Sequence, residues 1–168
     1  MRTASRRNSS VYLFAILYLL HSKHCSKETG TKPRQDQRAF DITMDYIQDR
    51  KAFGKPIGSF QNSRFVMAAL RTRLDAAQTL VDHCVLNHLD GVLSAELAAE
   101  VKLLTSELEG EVADQCVQLH GGNGYMQDYE ICRLYADARI SRIYAGTSEI
   151  MKEIIGRGLG LDDRNHRS

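Results

Sequence analysis

Residues 59–119, SFQNSRFVMAALRTRLDAAQTLVDHCVLNHLDGVLSAELAAEVKLLTSELEGEVADQCVQL, decide the fold because apolar residues recur there in steps of three and four. That period is typical of amphipathic helices, so it predicts one long helix over residues 59–89 and a second over residues 93–119. Asp90 and Gly91 form the turn between them, and so tight a turn makes the two helices antiparallel. The predicted apolar stripes comprise Phe65, Val66, Ala69, Leu70, Leu74, Ala77, Leu80 and Val81 in the first helix, and Leu97, Val101, Leu104, Leu108 and Val112 in the second.

Shorter helices flank this pair. Phe40, Met44 and Ile47 recur at helical spacing before the first long helix, and glycine clusters separate the later elements. No alternating pattern of the kind that predicts strands is found. The predicted flanking helices cover residues 38–50, 129–137 and 148–158. These elements predict an all-α fold, an up-and-down four-helix bundle.

Composition supports a globular body and excludes some function classes. The 168 residues suit one domain, and 43% hydrophobic with 26% charged residues favours a packed core over disorder. Because no basic stripe with interleaved aromatics follows residue 38, nucleic-acid binding is not expected. No cysteine pair has the spacing of a zinc site, so no metal is expected and reduced thiols in or near a helical core are predicted. The cysteines are Cys25, Cys84, Cys116 and Cys132.

The first 37 residues differ from the rest. An Arg- and Ser-rich start precedes the apolar run VYLFAILYLL at residues 11–20, which is too short to span a bilayer as a helix. The order of these two features is typical of a secretory signal peptide, although the cleavage site is poor, and the acid-poor start also fits an organelle transit peptide. A third interpretation is a non-native or mis-assembled start. Residues 28–37 resemble a linker.

Two places suggest chemistry. The first is RKAFGKPIG at residues 50–58, followed by Gln61, where cationic side chains border a glycine-bent loop between helices. Such a loop can bind a phosphate or another anion, but it can equally be an ordinary helix–loop–helix corner with solvated Lys and Arg.

The second place combines QLHGGNGY at residues 118–125 with IYAGTSEI at residues 143–150. Glycine clusters let the backbone approach a ligand closely, and a Gly-Thr-Ser run before a helix presents hydroxyls and free N–H groups. The same residues can also be simple helix caps. His120 has no nucleophile placed beside it by the sequence, so a structural histidine bonded to the backbone is expected rather than a catalytic base.

Taken together, RKAFGKPIGSFQ at residues 50–61 and QLHGGNGYMQDYEICRLYADARISRIYAGTSEIMKEIIGR at residues 118–157 resemble the acyl-CoA dehydrogenase family in order and spacing. The resemblance implies the carboxy-terminal helical domain of enzymes that use FAD for α,β-dehydrogenation of acyl-CoA thioesters. It also implies a homo-oligomer, usually a tetramer with the bundles at its centre.

The resemblance assigns roles to particular residues. Some residues match family positions that hold the FAD pyrophosphate and adenosine or that lie near the FAD of a partner subunit. These residues are Arg50, Phe53, Gln61, Gln118, Gly122, Thr147 and Glu149. Two further residues, Tyr144 and Arg157, match family positions that line or support the acyl-CoA site.

The departures from the family pattern concern the catalytic base. Many members carry a glutamate before the Gly-Thr pair, where this chain has Ala145, and a methyl group cannot accept a proton. The long-chain and isovaleryl branch instead carries its glutamate about two dozen residues before the arginine that matches Arg50. That place is His24, and the nearest acid is Glu28 in the linker-like segment. No catalytic residue is therefore predicted.

The predicted organisation is a leader and linker over residues 1–37, the helical domain over residues 38–163 and a tail over residues 164–168. The expected function is that of an acyl-CoA dehydrogenase by family, as an incomplete fragment that is inactive on its own. The alternatives are a non-catalytic oligomerisation or partner-binding module, which associates with itself or with full-length subunits, and a gene model without a stable product. A mitochondrial or cytoplasmic location is expected, without a transmembrane span, although the apolar leader argues partly for secretion.

Overall fold

The computed structural model describes residues 35–161, which contain five α-helices and very little strand. The helices are α1 Gln35–Asp49, α2 Gln61–Leu89, α3 Ala95–His120, α4 Glu130–Ala138 and α5 Ser148–Gly158. Their order confirms the all-α prediction, and α1 begins three residues before its predicted start. The predictions for the leader, for Glu28 and for the tail lie outside the described residues.

Helix α3 is the centre of the fold, because α1, α2, α4 and α5 all pack against it. Its sequence permits this, since small and apolar side chains are buried on several of its faces. The buried apolar residues of α3 are Ala98, Ala99, Val101, Leu108, Val112, Ala113 and Cys116. Every other helix is consequently positioned by one shared neighbour.

The hydrophobic core has two parts. The larger part joins α1, the first half of α2, the second half of α3 and α4, and the smaller part joins the far end of α2 to the start of α3. The larger part includes Phe40, Ile47, Met67, Leu70, Leu74, Leu108, Val112 and Ile131, and the smaller consists of Val81, Cys84 and Val101. Burial of each large side chain contributes about 1.5–3 kcal/mol, so the larger part holds most of the stability.

The predicted stripe on α2 was partly wrong. Phe65 is 64% exposed and Ala69 is exposed, and Leu104 of the predicted stripe on α3 is exposed as well. The buried positions of α2 are Ser63, Met67, Leu70, Leu74, Ala77, Val81 and Cys84. They follow alternating steps of four and three, the period of a single narrow seam. Because only that side of α2 is covered by α1 and α3, apolar residues beside the seam stay outside.

A small hairpin that the sequence pattern did not predict connects α1 to α2. Strands β1 Lys51–Ala52 and β2 Lys55–Pro56 pair antiparallel, and a 3₁₀ turn at Ile57–Ser59 leads into α2. Strands of two residues are too short to show alternation, which explains why the prediction missed them.

The packing of Arg142 explains why a glycine, Gly110, occurs in the middle of α3. A Cβ there would lie 3.0 Å from Nη2 of Arg142, which donates to the Glu107 carbonyl at 3.2 Å. The glycine therefore gives the guanidinium room to lie against the helix.

Replacing a helical glycine by alanine normally stabilises the helix. At Gly110 we expect the contact with Arg142 to offset that gain. Gly156→Ala, at a helical glycine with open space around it, should raise the unfolding free energy by roughly 0.5–1 kcal/mol. Gly110→Ala should give no such gain, because the new methyl group displaces Arg142. Urea unfolding of both variants checks this, and an equal gain at both sites would contradict the packing argument.

Candidate functional site

The corner between α1 and α2 carries Arg50, Phe53 and Gln61. The Arg50 N–H donates to the Tyr46 carbonyl at 2.8 Å, and the Arg50 carbonyl accepts from the Ile57 N–H at 2.9 Å. These bonds fix the backbone on both sides of the hairpin, while the side chains of Arg50 and Gln61 are exposed. The corner is thus a rigid support for side chains that point outward.

Phe53 stands at the tip of the hairpin and is 96% exposed. Its φ is +52° and that of Gly54 is +79°, as in two-residue turns that suit the twist of a hairpin. A left-handed conformation costs an ordinary residue about 1–2 kcal/mol. The ring makes an edge contact with Phe60 at 6.3 Å between centroids, and Lys55 Nζ lies 4.4 Å from the Phe60 centroid. A bulky ring held in solvent on a strained turn is available for stacking against a planar group.

Positive charge gathers at this corner. Within residues 35–161, the side chains of Arg50, Lys51 and Arg64 make no hydrogen bond or ion pair. In the same part of the chain, the Lys55 ammonium contacts the Phe60 ring and forms no ion pair. Cations that are not neutralised by protein carboxylates suit a phosphate ligand.

Tyr46 joins the corner to the glycine loop after α3. Its hydroxyl donates to the His120 carbonyl at 3.3 Å and accepts from Asn123 Nδ2 at 3.0 Å, and its ring stacks on His120 at 4.1 Å. Gln118 and Gly122 are exposed in this region, and a Cβ on Gly122 would meet nothing within 4 Å. The structure therefore brings five predicted residues to one end of the bundle: Arg50, Phe53, Gln61, Gln118 and Gly122.

His120 is structural, as expected. Its Nδ1–H donates to the Cys116 carbonyl at 2.8 Å, which fixes the tautomer because a carbonyl can only accept. Burial lowers the pKa of His120, and the bond to Cys116 offsets that only in part. The thiol of Cys116 is free and buried, as is that of Cys84, and Cys132 is free and half-buried. Burial raises the pKa of Cys116 to about 11, so this thiol stays protonated.

The second group of predicted residues lies around α5. Thr147 caps this helix, because its Oγ1 accepts from the Ile150 N–H at 3.4 Å. Glu149 and Tyr144 are exposed, and Arg157 forms an exposed ion pair with Glu153 at 2.6 Å. The capping interpretation of Thr147 is therefore correct. The Glu149 carboxylate accepts from its own N–H and from the Thr147 hydroxyl, and these bonds lower the pKa of Glu149.

The two groups do not meet in one chain. The loop before α5 is held to α3 at Lys102, whose Nζ lies 2.6 Å from the Gly146 carbonyl oxygen. Gln118 follows Lys102 by 16 positions on the same helix. At a rise of about 1.5 Å per residue, the groups are about 24 Å apart along α3. A ligand that uses both groups must reach them in different copies or be very long.

Ala145 provides no proton acceptor. It is half-buried and has a φ of +55°, followed by Gly146 at +102°. The backbone is thus bent sharply at this position, but the side chain is only a methyl group.

Sequence reasoning missed Lys102, Tyr46 and Asn123. Lys102 is completely buried, although a lysine in a helix normally indicates a solvated face. A signal was present, because Ser106 and Gly110 follow it on the same face in steps of four and leave room for another segment.

Two further observations concern residues 35–161 alone. No helix in this part of the chain is long and apolar enough to cross a membrane. No three His, Cys, Asp or Glu side chains come together there in a way that could hold a metal ion.

Comparison with known proteins identifies relatives. The family model "Acyl-CoA dehydrogenase, C-terminal domain" matches residues 34–160. The chain is 44% identical over 123 residues to the mitochondrial long-chain specific acyl-CoA dehydrogenase of Rattus norvegicus, covering 73% of this chain and 29% of that protein. It is 40% identical over 119 residues to the acryloyl-CoA reductase (NADH) of Anaerotignum propionicum, covering 71% and 30%. The chain thus spans less than a third of the length of these relatives.

A solved structure agrees with this. The acyl-CoA dehydrogenase of Geobacillus kaustophilus superposes with a TM-score of 0.78 at 34% identity, covering 92% of this chain and 37% of that one. Sequence and fold therefore lead to the same conclusion: the chain belongs to the acyl-CoA dehydrogenase family and contains its carboxy-terminal domain.

Proposed function

We propose that this chain supplies the adenosine and pyrophosphate half of an FAD site in an acyl-CoA dehydrogenase assembly. The family is FAD-dependent. The observation that carries the proposal is the corner at which Phe53 is 96% exposed on a strained turn beside cations without partners in residues 35–161.

The residues at the corner fit this part of the cofactor chemically. Arg50 offers a planar fork of donors to phosphate oxygens, and the Phe53 ring offers a face to a purine. Gln61 and Gln118 are exposed amides with both donor and acceptor groups, and Gly122 leaves open space for a close approach. When bound, the flavin would supply the hydride-accepting chemistry.

The remaining half of the site is proposed to come from another subunit. Thr147 and Glu149 are about 24 Å along α3 from the corner, so they would approach the FAD of a partner rather than the same molecule. Tyr144 and Arg157 are proposed to support the acyl-CoA site from this side. The partner is a second copy of this chain or a full-length subunit, in a mitochondrial or cytoplasmic setting.

The chain by itself is proposed to be inactive. A carboxylate must remove the α-proton in this family's reaction, and the two positions that carry it in the family are occupied here by Ala145 and His24. We therefore expect no turnover of any acyl-CoA with an electron acceptor by the purified chain. Measurable turnover would refute this part of the proposal.

Competition binding tests the half-site directly. FAD should bind the purified chain and its fluorescence should change, because adenine held by the protein no longer stacks on the flavin, and ADP should displace it. Riboflavin should not displace it, because the proposed contacts involve only the adenosine and pyrophosphate. Absence of FAD binding, or equal displacement by riboflavin and ADP, would overturn the proposal.

Light scattering during the same titration tests the shared site. Retention of FAD should accompany an increase in the dimeric or larger fraction, since the two groups of residues are expected to act across subunits. A monomer that binds FAD with full affinity would contradict the shared arrangement while leaving the corner intact.

A second function is favoured by one observation. Leu86, Leu89 and Val92 are 58%, 73% and 68% exposed around the turn from α2 to α3, at the opposite end from the corner. Such an apolar cluster supports a non-catalytic oligomerisation module. If the chain associates without FAD, and Leu89→Glu abolishes that association, the module is the better description.

A further inference from the structure

Lys102 is a lysine in an unusual place. It is 0% exposed on the face of α3 that the segment before α5 covers. That segment follows the face closely, since Arg142 donates to the Glu107 carbonyl and the Ser141 hydroxyl, which donates to the Ala138 carbonyl at 2.7 Å, lies 3.5 Å from the Ser106 carbonyl oxygen. Lysine is almost never fully buried without a specific partner.

The partner of Lys102 is a backbone carbonyl. Its Nζ donates to the Gly146 oxygen at 2.6 Å, a short charge-assisted bond. Gly146 precedes Thr147, the N-cap of α5, so its carbonyl lies outside the hydrogen-bond ladder of that helix. The lysine consequently satisfies a backbone group that the helix itself leaves without a donor.

This carbonyl belongs to a strained stretch. Ala145 and Gly146 have φ values of +55° and +102°, and the first is costly for a residue with a side chain. Such conformations persist only when their surroundings determine them. The bond from Lys102 reaches the middle of this stretch and connects it to the central helix.

The buried charge of Lys102 is not stabilised by an ion pair within residues 35–161. Burial lowers the pKa of Lys102, and the charges of Glu107 and Glu149 only partly oppose this. Among residues 35–161 no carboxylate lies within ion-pair distance of its Nζ. Within residues 35–161 the Gly146 carbonyl is the hydrogen-bond partner of this ammonium group, so the buried charge is tied to the loop before α5.

We propose that Lys102 is a positioning residue that holds the Ala145–Thr147 backbone in its bent conformation and thereby aims Thr147 and Glu149 toward the FAD of a partner subunit. The second half of this statement rests on the proposed function. The first half concerns the chain alone and has its own test.

Hydrogen exchange of the purified chain without FAD provides that test. Lys102→Met keeps the apolar stem and removes the donor. The amides of Ile150 and Met151, which bond to Thr147, should then exchange at least about tenfold faster. Amides in the first turn of α2, such as that of Arg64 bonded to Phe60, should be unchanged. Lys102→Arg, which restores a cationic donor, should recover part of the protection.

Thermal unfolding separates positioning from general stability. A purely structural lysine would lower the melting temperature and loosen all helices together when replaced. We expect Lys102→Met to change the melting temperature little and to confine its loosening to the segment before α5 and the start of α5, because the desolvation cost of a buried cation disappears together with its bond to Gly146. Uniform loosening, or unchanged exchange at Ile150 and Met151, would overturn the proposal.

FAD binding then tests the second half. If the wild-type chain binds FAD across subunits, Lys102→Met should weaken that binding several-fold, and Lys102→Arg less. Unchanged binding in Lys102→Met would refute the aiming role. If the wild-type chain fails to bind FAD, the proposed function and the aiming role both fail, while the exchange result still decides whether Lys102 holds the loop.

The pH dependence of stability gives an independent check. A lysine whose folded pKa is lowered binds fewer protons in the folded than in the unfolded chain between that pKa and the ordinary value of 10.5. Its contribution to stability therefore rises with pH through this window. The stability of Lys102→Met relative to wild type should therefore fall through this window, and a difference that is constant up to pH 10.5 would contradict a buried charge.

Discussion

Gly124→Ala is expected to lower the free energy of unfolding by about 3 kcal/mol, the upper part of the range for overpacking a closed site. A Cβ at this position would lie 2.6 Å from the Val117 carbonyl oxygen and 3.0 Å from the His120 Cβ. The nearest atom belongs to the backbone of the last turn of α3, so no side-chain rotation relieves the clash. Either the end of α3 or the glycine loop must shift.

The shift would reach the corner as well. Tyr46 is bonded to both His120 and Asn123, so displacement of the glycine loop also disturbs the end of α1. For a fold of this size, about 3 kcal/mol corresponds to a decrease in melting temperature of about 10 °C. Urea unfolding at constant m-value gives the same quantity without extrapolation in temperature.

Gly122→Ala is the matched control for this prediction. It adds the same methyl group two residues earlier, where nothing lies within 4 Å and the residue is exposed. Its effect on stability should stay within about 0.5 kcal/mol, as for most surface substitutions. If both variants lose the same stability, the loop does not depend on the close approach at Gly124.

Phe53→Ala is expected to weaken FAD binding by tenfold or more and to leave stability almost unchanged. Stacking of an aromatic side chain on a base contributes about 1–3 kcal/mol when measured by alanine substitution. Because Phe53 is 96% exposed, its ring adds little to the core. Fluorescence titration with FAD and thermal unfolding of the same sample provide the two measurements.

Phe53→Gly provides a sharper test, because it should lower the affinity for FAD without lowering stability. Glycine adopts a φ of +52° without strain, so this variant should be as stable as wild type or more stable by up to about 1 kcal/mol, although its affinity for FAD is lost. Phe53→Trp should retain most of the affinity, since it keeps a ring for stacking.

Leu89→Ala is the control for loss of an exposed apolar side chain. It lies at the far end of α2 and is 73% exposed, so its removal should not change the affinity for ADP, whose proposed contacts all lie at the corner of one chain. Equal loss of affinity in Leu89→Ala and Phe53→Ala would show that the aromatic ring has no special role at the corner.

The helices were predictable because their period and their turn residues are local properties of the chain. The last helix was predicted with its observed limits, and the two long helices were predicted to within two residues at each end. The choice of the buried face was harder. Phe65 continues the apolar pattern of α2, but only contacts with α1 and α3 determine that the seam runs through Met67 and Leu70 instead.

The candidate site was predictable only as a set of residues, and its role in binding FAD stays a prediction. The motifs indicated which side chains belong together, but their division into two groups about 24 Å apart follows from how α5 packs along α3. The strain at Phe53 and Ala145 was not visible either, since a left-handed φ is a property of the folded backbone. Lys102 was missed because its burial depends on a segment more than thirty positions further along the chain.

The way α5 is attached has a consequence for how the domain opens. Its packing is mainly against α3, and it contributes no residue to the larger part of the core. Partial opening that releases α5 together with its preceding loop therefore leaves α1, α2, α4 and most of α3 intact. Such a unit has a lower opening free energy than the whole domain. A subunit that docks on the closed α5 would suppress this opening, so assembly and local folding become thermodynamically coupled.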